Sequence, residues 1–117
     1  MNGKNATADK LHPRSPQWLD RRSSALKQRI AAKLRTQPEL LNIGLENMKR
    51  WQEPDGTWGR HTVYMTTWTA LIHQGLNACL EVLEDETEST QALRSCAPFA
   101  GVLSEQERTV FFQEWRP

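Results

Sequence analysis

Apolar residues at helical spacing near the start of the chain constrain its fold more than any other feature. In the stretch "SPQWLDRRSSALKQRIAAKLRTQ", four of them recur at intervals of seven, four and four residues and so share one helix face: Leu19, Leu26, Ile30 and Leu34. Ser15 is a favourable N-cap residue, and Pro16 suits the first helical position. The pattern predicts an amphipathic helix over residues 16–36 with a basic outer face.

Further helices are predicted along the rest of the chain. Pro38 ends the first helix and begins a second in "PELLNIGLENMKRWQ". After the turn signal "EPDGTWGRH", a third is expected over residues 62–74, although its threonines leave a strand over residues 62–67 as the alternative. "LNACLEVLEDE" predicts a fourth helix, whose core face is formed by Leu76, Leu80 and Leu83. The spacing of Ser104 and Glu107 is that of a capping box and predicts a last helix over about residues 105–115.

The predicted fold class is all-α. We expect a single helical domain of about five helices over residues 15–117, preceded by a flexible, disordered and basic N-terminal arm over residues 1–14. No stretch approaches the roughly 20 apolar residues that cross a membrane, and the N-terminus lacks the apolar run of a signal peptide. With Cys79 and Cys96 as the only cysteines, we expect reduced thiols and a cytoplasmic protein.

The sequence contains no pattern typical of catalysis or metal binding. His12, His61 and His73 are far apart, and none has a cysteine or carboxylate at the spacing of metal ligands. No nucleophile elbow, phosphate-binding loop or zinc-protease motif occurs. We therefore expect no enzyme activity, no metal and no cofactor.

Charge is distributed unevenly along the chain. Residues 1–36 carry nine Lys/Arg and two acids, a net charge of +7, whereas residues 37–117 carry six Lys/Arg and twelve acids, a net charge of −6. A basic helix suits DNA or an acidic partner surface, but a solvated helix face is the simpler interpretation. The candidate nucleic-acid-binding residues are Arg21, Arg22, Lys27, Arg29 and Lys33.

Aromatic and apolar residues supply the candidate protein-binding positions. Five tryptophans are many for 117 residues, and those outside the core would be interface anchors. We expect Trp51 and Trp68 in the core, because they fall on helix faces. The segment "PFAGVL", residues 98–103, either folds onto the core next to the last helix or presents a compact apolar knob. The candidate partner-binding residues are Trp58, Pro98, Phe99, Val102, Leu103 and Trp115.

Three segments resemble small bacterial proteins that are encoded beside toxin genes. They are the basic helix start "LDRRS", the junction "KLRTQPELL" and the closing "LRSCAPFAGVLSEQER", and the resemblance covers roughly residues 17–112. In these segments the chain is similar to antitoxins of toxin–antitoxin modules, some of them beside nucleotidyltransferase-like toxins. The resemblance implies a protein that binds its cognate toxin, covers or distorts the toxin's active site, and also represses its own operon by binding operator DNA.

Two other functions remain open, as does the formation of a homodimer. The chain is alternatively a stand-alone DNA-binding transcriptional regulator, or a non-catalytic protein inhibitor of another enzyme. The ridge of Leu41, Leu45 and Met48 serves either the core or a homodimer.

Overall fold

The computed structural model describes residues 12, 14–52 and 62–117, and within these ranges all of the regular secondary structure is helical. Two 3₁₀ turns, Pro38–Leu40 and Glu88–Thr90, lead into the second and fifth helices. The six α-helices are α1 (Pro16–Thr36), α2 (Leu41–Trp51), α3 (Thr62–Gln74), α4 (Leu76–Glu84), α5 (Gln91–Ser95) and α6 (Glu105–Glu114). The predicted all-α class is confirmed. Most of the predicted N-terminal arm, the turn "EPDGTWGRH" and Trp58 lie outside the described residues.

Helix α1 begins where the sequence predicts. The Ser15 side chain accepts a hydrogen bond from the backbone N–H of Trp18, at 3.1 Å, and Pro16 occupies the first turn. The first backbone N–H groups of a helix lack partners within the helix. The Ser15 side chain provides a partner for one of them, and proline has no N–H that needs one. Helix α1 ends at Thr36, ahead of Pro38, because proline disfavours the helical conformation of the residue before it.

The core face of α1 is shifted from the predicted one at its first turn. Ile30 and Leu34 are buried as predicted, but Leu19 is 40% exposed and Trp18 is buried in its place. The Trp18 ring meets the Trp115 ring edge-on, with centroids 5.9 Å apart, so the chain after α6 covers this side of α1. The prediction for Leu19 is therefore wrong, because a long-range contact selects the neighbouring residue.

Helix α3 is helical over residues 62–67, so the strand alternative is excluded. The hydroxyls of Thr67 and Thr69 donate to the carbonyls of Val63 and Met65, four residues earlier, which accommodates polar side chains within the helix. Trp68 is completely buried, and its indole N–H donates to the Leu93 carbonyl at 2.8 Å. The prediction that Trp68 belongs to the core is confirmed.

Helix α4 follows α3 after a single residue, Gly75. Its φ of 120° lies in a region that favours glycine, and this backbone conformation separates α3 from α4 within one residue. Leu80 and Leu83 are buried as predicted, whereas Leu76 is only partly buried. Of the other helices, α4 is the one that α1 contacts most extensively. Both helices contribute a completely buried small residue, Ala31 and Cys79, which allows close packing.

Helix α6 begins with the predicted capping box. The Ser104 hydroxyl accepts the backbone N–H of Glu107 at 3.1 Å, and the Glu107 carboxylate accepts the backbone N–H of Ser104 at 2.7 Å. The helix ends at Glu114, within one residue of the prediction. Across the described ranges, the structure has no helix with the length and apolarity that crossing a membrane requires.

Candidate functional site

The 98–103 segment is part of the core. Phe99 and Val102 are each 1% exposed, Leu103 is 7% exposed, and Pro98 is fully buried. Pro98 and Val102 are therefore not accessible to a partner in this conformation, whereas Phe99 and Leu103 line a small surface pocket. The interpretation of the segment as an exposed apolar knob is therefore corrected in favour of packing onto the core, because burial removes its large apolar surface from water.

Three residues of other helices hold the 98–103 segment in place. The buried Asn47 side chain donates to the carbonyls of Pro98 and Ala100, both at 2.9 Å. The Phe99 ring meets the Trp68 ring edge-on, with centroids 5.3 Å apart. Its other neighbour is Gly44, where a β-carbon would come within 2.8 Å of Phe99 Cε1. The edge-on ring contact and the two hydrogen bonds from Asn47 together fix the path of a segment that has no regular structure.

Helix α6 is joined to the basic face of α1 by ion pairs. Arg29 pairs with Glu114, and Lys33 pairs with Glu107 at 2.5 Å. Lys33, followed by the Ser104 backbone N–H, lowers the pKa of Glu107 to about 2. A third pair connects Arg35 to Glu84 of α4. The positive and negative parts of the sequence therefore neutralise each other in part within the fold.

Aromatic rings complete the contact between α1 and α6. Phe111 is 1% exposed and lies 6.3 Å from the Trp115 ring, stacked on it, while Trp115 also contacts Trp18. The guanidinium of Arg29 lies over the Phe111 ring at 5.5 Å. Trp115 is partly buried in this cluster. As a partner anchor, Trp115 could therefore use only the part of its side chain that remains exposed outside this cluster.

Cations and rings alternate at the edge of the same contact. The Arg22 guanidinium lies between the rings of Trp18, at 5.0 Å, and Phe112, at 5.4 Å. The Arg108 guanidinium also lies over the Phe112 ring, at 5.6 Å. Stacking engages the planar faces of a guanidinium and leaves its N–H edges available to acceptors. Two arginines are therefore held in position on one aromatic ring.

Two adjoining depressions lie beside this array, and we call them together the α6 cleft. A small pocket of about 170 Å³ lies between α1 and the 97–103 loop, and a shallow groove of about 630 Å³ runs along α6. Gly101, Leu103 and Arg108 line both. The other residues that matter for the chemistry are Leu26, Lys27 and Ala100 in the pocket and Glu105, Phe112 and Arg116 in the groove.

The α6 cleft is positively charged. Its lining includes Lys27, Arg108 and Arg116 but a single carboxylate, that of Glu105. Within residues 14–52 and 62–117, none of these three cations forms an ion pair. Burial, followed by the charge of Arg94, lowers the pKa of Lys27, as expected for an amine in a positive environment. The cleft therefore favours an occupant that carries negative charge.

The structure does not gather the five predicted nucleic-acid-binding residues on one free surface. Arg29 and Lys33 are paired with Glu114 and Glu107. Arg22 is stacked between two rings, and Lys27 lines the small pocket. Arg21 is exposed. Two of the five charges, those of Arg29 and Lys33, are therefore balanced by carboxylates within the fold.

Polar groups elsewhere bind one another. Asp85 accepts hydrogen bonds from the Thr87 backbone at 2.9 Å and from the Thr90 hydroxyl at 3.0 Å, and these donors help to lower its pKa. Arg94 donates to the Thr87 carbonyl at 3.0 Å. In the part of the chain that the structure describes, no group of three or more histidine, cysteine or acidic side chains has a metal-binding arrangement. These polar groups stabilise the connection between α4 and α5.

Comparisons of the chain with protein-family models, with curated proteins and with solved structures gave no match. The structure alone defines the class: an all-α domain whose last helix borders a cationic, apolar-floored cleft. Sequence reasoning missed the role of the cleft residues Arg108 and Phe112, because no pattern in the sequence indicates that Arg108, the last residue of the closing segment, lies over the Phe112 ring. It also missed the role of Asn47, which lies one helical turn from both Ile43 and Trp51 on an otherwise apolar row, a signal for a buried polar contact.

Proposed function

We propose that this protein is an antitoxin, a non-catalytic binding protein that neutralises a toxin encoded beside its own gene. The observation that carries the proposal is the α6 cleft, where apolar floor and unpaired cations meet on one surface. Such a combination is typical of protein-binding surfaces, in which an apolar centre supplies free energy and charges at the rim supply specificity.

The three antitoxin-like segments support the same proposal. Of these, the closing segment contributes the loop that borders the cleft and the start of α6, including Arg108. The fold gives this segment a physical purpose, because Asn47 and Trp68 hold its backbone and its Phe99 ring in one conformation. A rim that already has one conformation loses less conformational entropy when a partner binds.

Co-expression with the neighbouring gene tests the proposal. The neighbour's product should stop growth when it is produced alone, and this protein should restore growth and co-purify with it. A neighbour that is harmless alone, or that stays toxic when this protein is present, would contradict the proposal. We further propose that the pair acts in the cytoplasm.

Repression of its own operon is a second proposed activity, and Arg21 is the observation that favours it. This residue is exposed and, among the described residues, forms no ion pair. Duplex binding would rest on phosphate contacts and would weaken steeply with salt. A gel-shift titration on the promoter at two salt concentrations tests it, and no shift even at low salt would remove this activity.

A further inference from the structure

The small pocket of the α6 cleft has the dimensions of a site for one side chain. Its volume of about 170 Å³ is below the roughly 300–1,000 Å³ of small-molecule sites. Leu26 and Leu103 supply apolar lining, and Ala100 lies exposed at the rim. An aliphatic or aromatic side chain of a partner fits such a pocket better than a cofactor does.

Cations surround the mouth of this pocket. Lys27 lies on the α1 side and Arg108 on the α6 side, where Arg108 also borders the groove. Because the Arg108 guanidinium lies over the Phe112 ring, its position is already restricted before a ligand arrives. Carboxylates are ligands for guanidinium N–H groups, and a carboxylate beside Lys27 would favour the charged form of its amine, which burial and Arg94 disfavour.

We infer that the α6 cleft binds an acidic segment of the toxin, with one apolar side chain in the small pocket and flanking carboxylates on Lys27 and Arg108. This inference rests on the proposed function and adds the surface and the chemistry of the partner. In such a complex, the apolar side chain of the toxin would be the central anchor, and its carboxylates would complement the cations around the pocket.

An acidic protein segment suits the cleft better than a nucleic acid does. The Glu105 carboxylate lines the groove along α6 and would repel a continuous phosphate backbone that runs along it. The pocket also has an apolar floor, for which a phosphodiester chain offers no matching group. A protein segment with discrete carboxylates on either side of one apolar residue avoids both conflicts.

The test uses the full chain and the product of the neighbouring gene, with dissociation constants measured by fluorescence anisotropy. At the exposed rim, Ala100→Glu introduces a like charge and Ala100→Lys is its matched control. Both preserve the backbone carbonyl that Asn47 binds. Arg108→Glu reverses a cleft charge, whereas Lys49→Glu reverses an exposed charge on α2, away from the cleft. Circular dichroism establishes that each variant is folded.

We expect Ala100→Glu and Arg108→Glu to weaken binding by about tenfold or more, while Ala100→Lys and Lys49→Glu bind like the wild type. Equal binding by all four variants would overturn the inference and leave the proposed function intact. A wild type that does not bind the neighbour's product would refute the proposed function and, with it, this inference.

Two further probes separate the acidic segment from other occupants. A synthetic peptide with glutamates on both sides of one phenylalanine should compete with the toxin, and the same peptide with lysines should not. If instead a promoter duplex loses affinity in Arg108→Glu while the toxin does not, the cleft binds DNA and the inference is wrong. A wild-type dimer that Arg108→Glu dissociates, again with toxin binding unchanged, would also overturn it.

Discussion

The Phe99 ring lies directly against Gly44, so that a β-carbon at position 44 would come within 2.8 Å of Phe99 Cε1 and 3.1 Å of Ile72 Cδ1. Helix α2 and the 98–103 segment therefore meet at a glycine because no other residue leaves room for the ring. This contact sets the position of the loop that borders the α6 cleft.

Gly44→Ala should destabilise the protein, although alanine is the better helix former. The gain in helix propensity is about 1 kcal/mol. The forced contact with a fully buried ring costs about 1–3 kcal/mol, and we expect the cost to exceed the gain. Urea unfolding measures the net change. Phe99→Leu should lessen the effect of Gly44→Ala in a double-mutant cycle, and a stability increase in Gly44→Ala alone would contradict the packing described.

Asn47→Ala should be costly because it leaves two carbonyls without their donor. The Pro98 carbonyl is bonded in a buried position and the Ala100 carbonyl in a partly buried one. An unsatisfied buried group costs about 1–3 kcal/mol, so we expect the free energy of unfolding to fall by about 1–3 kcal/mol. Asn42→Ala is the matched control, since Asn42 is an exposed residue of the same helix. Because alanine is the better helix former, Asn42→Ala should not destabilise the helix, and similar losses in the two variants would contradict the hold of Asn47 on the 98–103 segment.

The contact of α6 with α1 should depend on its aromatic residues more than on its ion pairs. Phe111 is 1% exposed, and Phe111→Ala should cost about 3–5 kcal/mol. Glu114 is half-exposed in its pair with Arg29, and Glu114→Gln should cost at most about 1 kcal/mol. Thermal unfolding of the two variants provides the comparison, and a larger loss in Glu114→Gln would reverse this assignment.

Glu107 should make the stability of the protein depend on acid. Its pKa in the folded protein is about 2, below the ordinary value of 4.5, so folding favours the charged form. The stabilisation is complete above about pH 4.5 and is lost as the pH falls toward 2. The urea midpoint of Glu107→Gln should lie below that of the wild type at pH 7, and the two should converge near pH 2. Glu105→Gln is the control, because Glu105 lies in the same helical turn but does not pair with Lys33. A difference in urea midpoint between Glu107→Gln and the wild type that grows as the pH falls would contradict the prediction.

Local signals made the helices predictable, and long-range contacts made the site unpredictable. Ser15 and Ser104 identify the starts of α1 and α6 because a capping residue acts on backbone groups within three positions of itself. The choice of Trp18 over Leu19 for the core depends on Trp115, nearly a hundred residues away. Two further contacts depend on how the helices pack in three dimensions. One is the pairing of Arg29 and Lys33 with α6. The other is the approach of Arg108 and Arg22 to the Phe112 ring.

Hydrogen–deuterium exchange of the full chain, alone and with the product of the neighbouring gene, tests the central claim most directly. Binding at the α6 cleft predicts that amide protection increases in the 97–103 loop, in α6 and in the part of α1 around Lys27. Protection confined to the connection between α4 and α5, or no change at any peptide with the partner in excess, would contradict the account.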